Sequence, residues 1–450
     1  MTSPGAASIS LDATVLGTPQ RVRTWGRTAS ATPVGVARPA TIDEVVAVVL
    51  AARERGLPIK PIGSAHSFTD IALTDGVLVD LAALSGIVRV DAARDRVTVL
   101  AGTALHALSP LLNAHGLALQ NMGDIDRQTI AGAMSTGTHG TGLAFRGLAT
   151  QITAAMLVTA DGTLLRVSET ENADLLPAVQ VGLGALGILV EVELQCVPQF
   201  LLRAVEQGEP FDVVDEFLDR AAAVDHFEAY WWPHTDRLST KTNTRLPLET
   251  EYRPLSRLAE WWEDEFFGNG LHYTISRLGL GVPALTPRVN RLAAALYGNR
   301  TFTAPSHEVF TSPRRVHFQE MEYALPAEAL APAIREVKAL VEREGWRISF
   351  PVELRVAAAD ETWLSTAYGR RSAYIAVHRY WPEDARPYFT AVEDIMRAHD
   401  GRPHWGKLHE RTADDLASAY PRFNDFLDVR DRLDPDRTFT NAYTRRVLGG

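Results

Sequence analysis

The stretch Ala131-Gly132-Ala133-Met134-Ser135-Thr136-Gly137-Thr138-His139-Gly140-Thr141-Gly142 carries no bulky side chain apart from Met134 and His139. Such a run lets backbone N–H groups converge on an anion, with Ser and Thr hydroxyls as further donors. A second run of the same kind, Pro61-Ile62-Gly63-Ser64-Ala65-His66-Ser67, lies about seventy residues earlier. One small-residue loop occurs in any fold. Two of them, set among alternating short strands and helices, read as a pair of clamps on one pyrophosphate. No G-x-x-x-x-G-K-[ST] pattern accompanies them, which disfavours a P-loop nucleotidase.

Outward from these loops the pattern is regular. Thr41-Ile42-Asp43-Glu44 has capping-box spacing, and Val45, Val48 and Val49 mark one helical face that Gly56 closes. A short strand over 57–62 runs into the His66 loop. Residues 87–91 and 96–100 predict a hairpin, and 152–158 with 163–167 predict another across Asp161-Gly162. Helical spacing covers 105–115 and 174–186, and 188–197 alternates as a strand ending at Pro198. This is an α+β series and not a repeating βαβ one, so a Rossmann domain is not expected.

Length and composition bound the rest. At 450 residues two domains are expected. Apolar residues at 46% and charged residues at 22% are globular values, which disfavours global disorder. A net charge of −10 without a Lys/Arg-dense block argues against nucleic-acid or anionic-membrane partners. The single cysteine, Cys196, excludes an intramolecular disulfide and any multi-cysteine zinc or iron–sulfur site, and no metal is expected. The start, MTSPGAASIS, does not read as a secretory peptide, and apolar stretches fall short of the ~20 residues of a spanning helix. A cytoplasmic protein is the expectation.

The expected division is a flexible lead-in over 1–30, a first domain over 31–198, a second over 199–430, and a docking tail over 431–450 that carries Phe439, Asn441 and Tyr443. The second domain is marked by clustered tryptophans: Trp231, Trp232, Trp261 and Trp262.

Four segments together, Gly63-Ser64-Ala65-His66-Ser67, Asn121-Met122-Gly123-Asp124, Ser135-Thr136-Gly137-Thr138-His139-Gly140 and His404-Trp405-Gly406-Lys407, give the chain a family resemblance. It resembles the vanillyl-alcohol-oxidase-type flavoproteins, and within them the sugar-lactone and alditol oxidases. The resemblance runs from about Arg38 to Tyr443. It implies an N-terminal FAD-binding domain in two parts and an α+β cap domain over the substrate. FAD would be linked covalently through His66, and contacts to it would come from Ile62, Gly63, Ser64, Ala65, Ser67, Gly123, Asp124, Thr129, Gly132, Thr136, Gly137, Thr138, His139, Ile188 and Lys407. Cys196, on a strand, reads as a small core residue and not as a second linkage.

For the substrate site, Val352-Glu353-Leu354-Arg355-Val356 alternates as a strand that puts Glu353 and Arg355 on one face. Ala376-Val377-His378-Arg379-Tyr380 does the same for His378 and Tyr380. By the resemblance, Glu353, Arg355, His378 and Lys407, with Asp124, line the substrate face of the flavin. Moving hydride from a carbinol carbon to the flavin leaves negative charge on the ring, which Lys407 or Arg355 would stabilise. Glu353 or His378 would accept the hydroxyl proton. Alditol oxidases carry Ser and Thr where this chain has Asp124 and Tyr380, so the resemblance favours oxidation of sugar 1,4-lactones such as L-gulono-, L-galactono- or D-arabinono-1,4-lactone, with O2 as acceptor and H2O2 as product. The alternatives are an alditol oxidase and, from another class, an NAD(P)H-dependent reductase on the same fold.

Overall fold

Thr41 starts the first helix as its spacing requires: its hydroxyl accepts the Glu44 N–H, and Ile42–Glu54 follows. The computed structural model describes residues 19–254, 280–296 and 299–450. Val45, Val48 and Val49 turn inward onto a three-stranded parallel sheet ordered Gly35–Ala37, Val77–Asp80, Ile59–Ile62. Both expected hairpins form. They belong to a five-stranded antiparallel sheet ordered Leu164–Ser168, Ile152–Val158, Ile188–Gln195, Arg96–Leu100, Ile87–Asp91. The two sheets share one core, in which each fully buried Val, Leu or Ile contributes about 1.5–3 kcal/mol.

One helix is shorter than its spacing predicts. The expected 174–186 helix stops at Gln180, after Leu176–Gln180. Leu183 and Gly184 then take positive φ of 55° and 58°, which an α-helix cannot contain. The chain over 182–187 is a loop, and this loop turns out to matter for the site.

After Pro198 an eight-stranded sheet takes over, ordered Arg300–Pro305, Leu201–Pro210, Arg237–Leu246, His226–Trp231, Val352–Ala357, Ser372–Tyr380, Phe318–Pro326, Arg402–Pro403. Alternation along the strands separates its two faces. Phe227, Trp231, Met321, Tyr323, Leu354, Ile375 and Val377 pack under helices Leu330–Glu344 and Arg386–Ala398. Their neighbours in the chain, Glu228, Tyr230, Glu320, Glu322, Glu353, Arg355 and His378, occupy the opposite face. So many buried ionisable groups on one sheet face are costly unless paired, and the pairing defines the site.

The ends of the chain depart from expectation. Residues 1–18 of the expected flexible lead-in, and Trp261 and Trp262, lie outside the described residues. Residues 19–30 are ordered: Val22–Arg23 pairs with Ser30–Ala31, and Trp25 packs against His66. At the other end, Leu416, Tyr420, Phe423, Phe426 and Val429 share the core of the first domain with Val45 and Val97. The cores therefore part well before residue 430, because the helices Ala413–Ala419 and Phe423–Leu433 bury their apolar faces against the first domain. The tail is held by Asn441, whose Nδ2 donates to the carbonyls of Asp70, Ile71 and Leu73 at 2.8–3.0 Å. Among the described residues no helix is long and apolar enough to cross a membrane.

Candidate active site

Two clefts meet at His66, Ser67, Gln128 and Thr136. The first is lined by the run from Lys60 to Ser67, by Thr129, Gly132, Ser135 and Thr136, and by the 182–187 loop. Glycines and small side chains alternate there with larger apolar ones such as Ile71, Leu81, Leu157 and Leu189. A Cβ on Gly63 would stand 2.3 Å from Thr129 Oγ1, so only glycine permits this approach. Lys60 lies fully buried beneath it and donates to the carbonyls of Gly184 (2.9 Å), Phe439 (3.2 Å) and Leu183 (3.5 Å), tying the 182–187 loop and the tail to the strand that leads to His66.

The second cleft is of opposite character. Gly123, Asp124, Thr138, His139, Glu320, Glu322, Glu353, Arg355, His404 and Lys407 line it. Four carboxylates share this buried space, and each has a nitrogen-bearing side chain beside it. Arg355 contacts Glu353, and stands 3.2 Å from Glu228 and 3.8 Å from Asp124. Arg314 donates to Asp124 at 2.8 Å. Lys407 pairs with Glu320, and His139 Nε2 lies 3.2 Å from Glu322. Two triplets, His139–Glu322–His404 and Glu320–Glu353–His378, bring ligand-type atoms within 4.8 Å of one another. In the first triplet the Gly406 N–H donates to His404 Nδ1, and His139 Nδ1 lies 2.9 Å from the Gly140 carbonyl.

The charges are not shared evenly. Burial pushes the Asp124 carboxyl up, but Arg355 and Arg314 outweigh it and hold the group well below the usual carboxylate range. Glu353 goes the other way. Burial, with Asp124 and Glu228 as like-charged neighbours, lifts it to about 7 despite Arg355. Tyr230 donates to it at 3.2 Å. Burial lowers Lys407, yet Glu320 and Glu322 more than compensate and keep it cationic. His66 is pushed down to about 4 by burial and by the fields of Lys407 and Arg127, so its imidazole is neutral at neutral pH. Burial likewise takes His404 to about 4.

Most residues singled out from the sequence line these clefts, and a few do not. Ile62, Gly63, Ser64, Ala65, Thr129 and Gly132 line the first, while Gly123, Asp124, Thr138, His139, Glu353, Arg355 and Lys407 line the second. His66, Ser67 and Thr136 line both. Ile188 is buried inside its strand, between Gly187 and Leu189, which do line the cleft. Gly137 forms a turn with φ of 78° and lies outside both linings. His378 stands behind Glu320, directly across the strand pair, with Nε2 3.5 Å from that carboxylate and Nδ1 2.9 Å from the Pro351 carbonyl. Both ring nitrogens face acceptors, and the Glu320 hydrogen bond raises its basicity against burial. It is thus a partner of Glu320 and not an open base in the cleft. Tyr380 packs with Phe68, Phe318 and Phe350 and does not line the cleft either. Cys196 is a buried core residue whose thiol burial pushes up to about 12.

Sequence reasoning missed Glu320, Glu322, Gln128, Arg314 and the 182–187 loop. Glu320 and Glu322 alternate with Met321 and Tyr323, which was a usable signal for two carboxylates on one strand face.

Two family models match the chain. Residues 33–168 match the FAD binding domain model, and residues 192–447 match the D-arabinono-1,4-lactone oxidase model. The chain belongs to the D-arabinono-1,4-lactone oxidase family. It is an FAD-dependent oxidoreductase. Within the curated proteins it is 42% identical to an L-gulono-1,4-lactone dehydrogenase of Mycobacterium tuberculosis, covering 93% of this chain and 96% of the relative. It is 34% identical to the L-gulonolactone oxidase of Bos taurus, covering 95% and 98%. An alditol oxidase of Streptomyces is 30% identical, covering 95% and 99%. A solved cholesterol oxidase from B. sterolicum superposes with a TM-score of 0.83 at 17% identity, covering 99% of this chain and all of that one, which shows the shared α+β fold.

Proposed function

We propose that this family member is an oxidase of sugar 1,4-lactones, acting on substrates such as L-gulono-, L-galactono- or D-arabinono-1,4-lactone, with FAD linked through His66 and O2 as acceptor. The observation that carries the reading is the meeting of the clefts: a larger cleft, lined by glycines and apolar side chains, opens at His66 onto a smaller, charge-paired chamber holding Glu353, Arg355 and Lys407. Residues that would hold FAD are present there: the small-residue run over 61–67, where Gly63 packs so tightly on Thr129 Oγ1 that no Cβ is tolerated at position 63, and the Ser135 and Thr136 hydroxyls. Bound there, FAD supplies a two-electron acceptor for the carbinol hydride. The rest falls to the chain. Arg355 and Lys407, held by Glu353 and Glu320, would offer positive charge to a reduced, negatively charged acceptor bound beside the chamber. Glu353, lifted to about 7, is suited to take the hydroxyl proton near neutral pH. An NAD(P)H-dependent reductase is disfavoured because His404, Gly406 and Lys407 help to line the chamber, as expected of a lactone or polyol site.

Linkage has a direct test. Denatured wild-type protein is expected to show a flavin band fluorescing on a gel, and His66→Ala is expected to lose that band while keeping dissociable FAD held by the slot. A band of undiminished strength in the variant would refute the assignment.

We infer a role in the choice of acceptor for Gly123, which lines the chamber. Its φ is not among the positive values, so no turn demands glycine there. A Cβ would meet the His139 carbonyl and Thr138 Cγ2 at 3.2 Å, a tight contact that leaves little room for a side chain in the chamber wall. Gly123→Val is expected to slow reoxidation by O2 more than anaerobic reduction by substrate, with an artificial dye restoring turnover. Parallel loss of both half-reactions would make Gly123 a packing residue.

A further inference from the structure

A segment near the start of the described chain, around Trp25, covers the proposed attachment histidine. Trp25 stacks on His66 with ring centroids 5.4 Å apart and planes inclined by 19°. The indole is itself fixed by His317 at 4.8 Å and by Phe318 and Phe68 edge-on at 5.1 and 6.2 Å. Its backbone N–H donates to the Ala65 carbonyl at 2.8 Å, and the Thr28 hydroxyl donates to the Phe68 carbonyl. Gly26 approaches so closely that a Cβ would stand 2.6 Å from the Phe68 ring. The hairpin thus grips the chain on both sides of His66, at residues 65 and 68.

That grip has something to hold. Ala65 takes a left-handed φ of 54°, a conformation that side chains rarely adopt and that persists only when its surroundings enforce it. His66 lines both clefts, whereas Trp25 is outside both linings. The indole therefore touches the imidazole without entering the cofactor space, where it could only assist indirectly.

We propose that Trp25 is a positioning residue for flavin attachment: stacked on the imidazole, it holds His66 in one orientation at the junction of the clefts. The inference rests on the His66 linkage proposed above. In that linkage an imidazole nitrogen bonds to the carbon of the flavin 8-methyl group. One hydrogen leaves the methyl group and one leaves the imidazole, both as protons, and two electrons pass into the flavin, from which O2 or a dye removes them. Neutral imidazole with a fixed ring plane suits this step, because a freely turning ring spends most of its time misaligned.

The test uses full-length protein as expressed, then incubated with added FAD in air. Acid-stable flavin is followed by gel fluorescence and total bound flavin by absorbance after free flavin is removed. Trp25→Ala is expected to slow the gain of acid-stable flavin about tenfold or more, with total bound flavin nearly unchanged. Trp25→Phe keeps a stacking ring and is expected to restore most of the rate. A wild-type attachment rate in Trp25→Ala overturns the inference, and so does parallel loss of total flavin in the Ala and Phe variants, which would make Trp25 a folding residue. Absence of acid-stable flavin from the wild type itself would instead refute the His66 linkage, and with it this inference, before any Trp25 variant is needed.

Discussion

Glu353→Gln is expected to slow flavin reduction by a lactone about 10²–10⁴-fold, the range a positioned general base contributes. Four observations single Glu353 out. It lines the chamber, shares a strand face with Arg355, receives the Tyr230 hydroxyl at 3.2 Å, and is the carboxyl raised to about 7 among neighbours held ionised. The base form is the carboxylate, so wild-type reduction should rise with pH up to about 7 and level off above it. Glutamine keeps the shape and the Tyr230 contact but cannot accept the proton. Rapid anaerobic mixing with substrate, monitored by loss of flavin absorbance, measures both effects. A Gln variant that reduces at the wild-type rate, or a profile without a rise through neutrality, would remove Glu353 from the role.

Lys407→Met should cost ~2.7–4 kcal/mol of transition-state stabilisation, or a 10²–10³-fold slower reduction, as loss of one preorganised electrostatic partner does. Lys407 is held against Glu320, which His378 backs from across the strand pair. Flavin content should change little, because the slot is built from other residues. The same rapid-mixing measurement applies, with flavin content read from the spectrum. Unchanged kinetics would mean that Lys407 serves only to neutralise Glu320.

Much of this was legible in the sequence because it is local. The Thr41 cap, the two hairpins and the small-residue loops are set by neighbours a few residues apart, and the Glu353–Arg355 face follows from strand alternation. The illegible parts depend on distant chain. Glu320 reads as an ordinary strand glutamate until Lys407, far along the sequence, arrives beside it. His378 looked equivalent to Glu353 as a base, and only the register that sets it opposite Glu320 removes it from the chamber. Apolar spacing over 174–186 suggests a helix, but Gly182, Gly184 and Gly187 were the legible sign of a loop, and Leu183 and Gly184 take positive φ there. Trp25 sat in a stretch of small and polar residues, and its role rests on contacts with His66, Phe68 and Phe318.

The central claim is that the chamber oxidises sugar lactones through the flavin. The most direct measurement mixes purified protein anaerobically with L-gulono-, L-galactono- or D-arabinono-1,4-lactone, or with xylitol or sorbitol, records the flavin spectrum, and then admits air. At least one lactone is expected to bleach the flavin faster than either polyol at equal concentration, with colour returning and hydrogen peroxide appearing on exposure to O2. Faster bleaching by the polyols, or no bleaching by any lactone, would contradict the account.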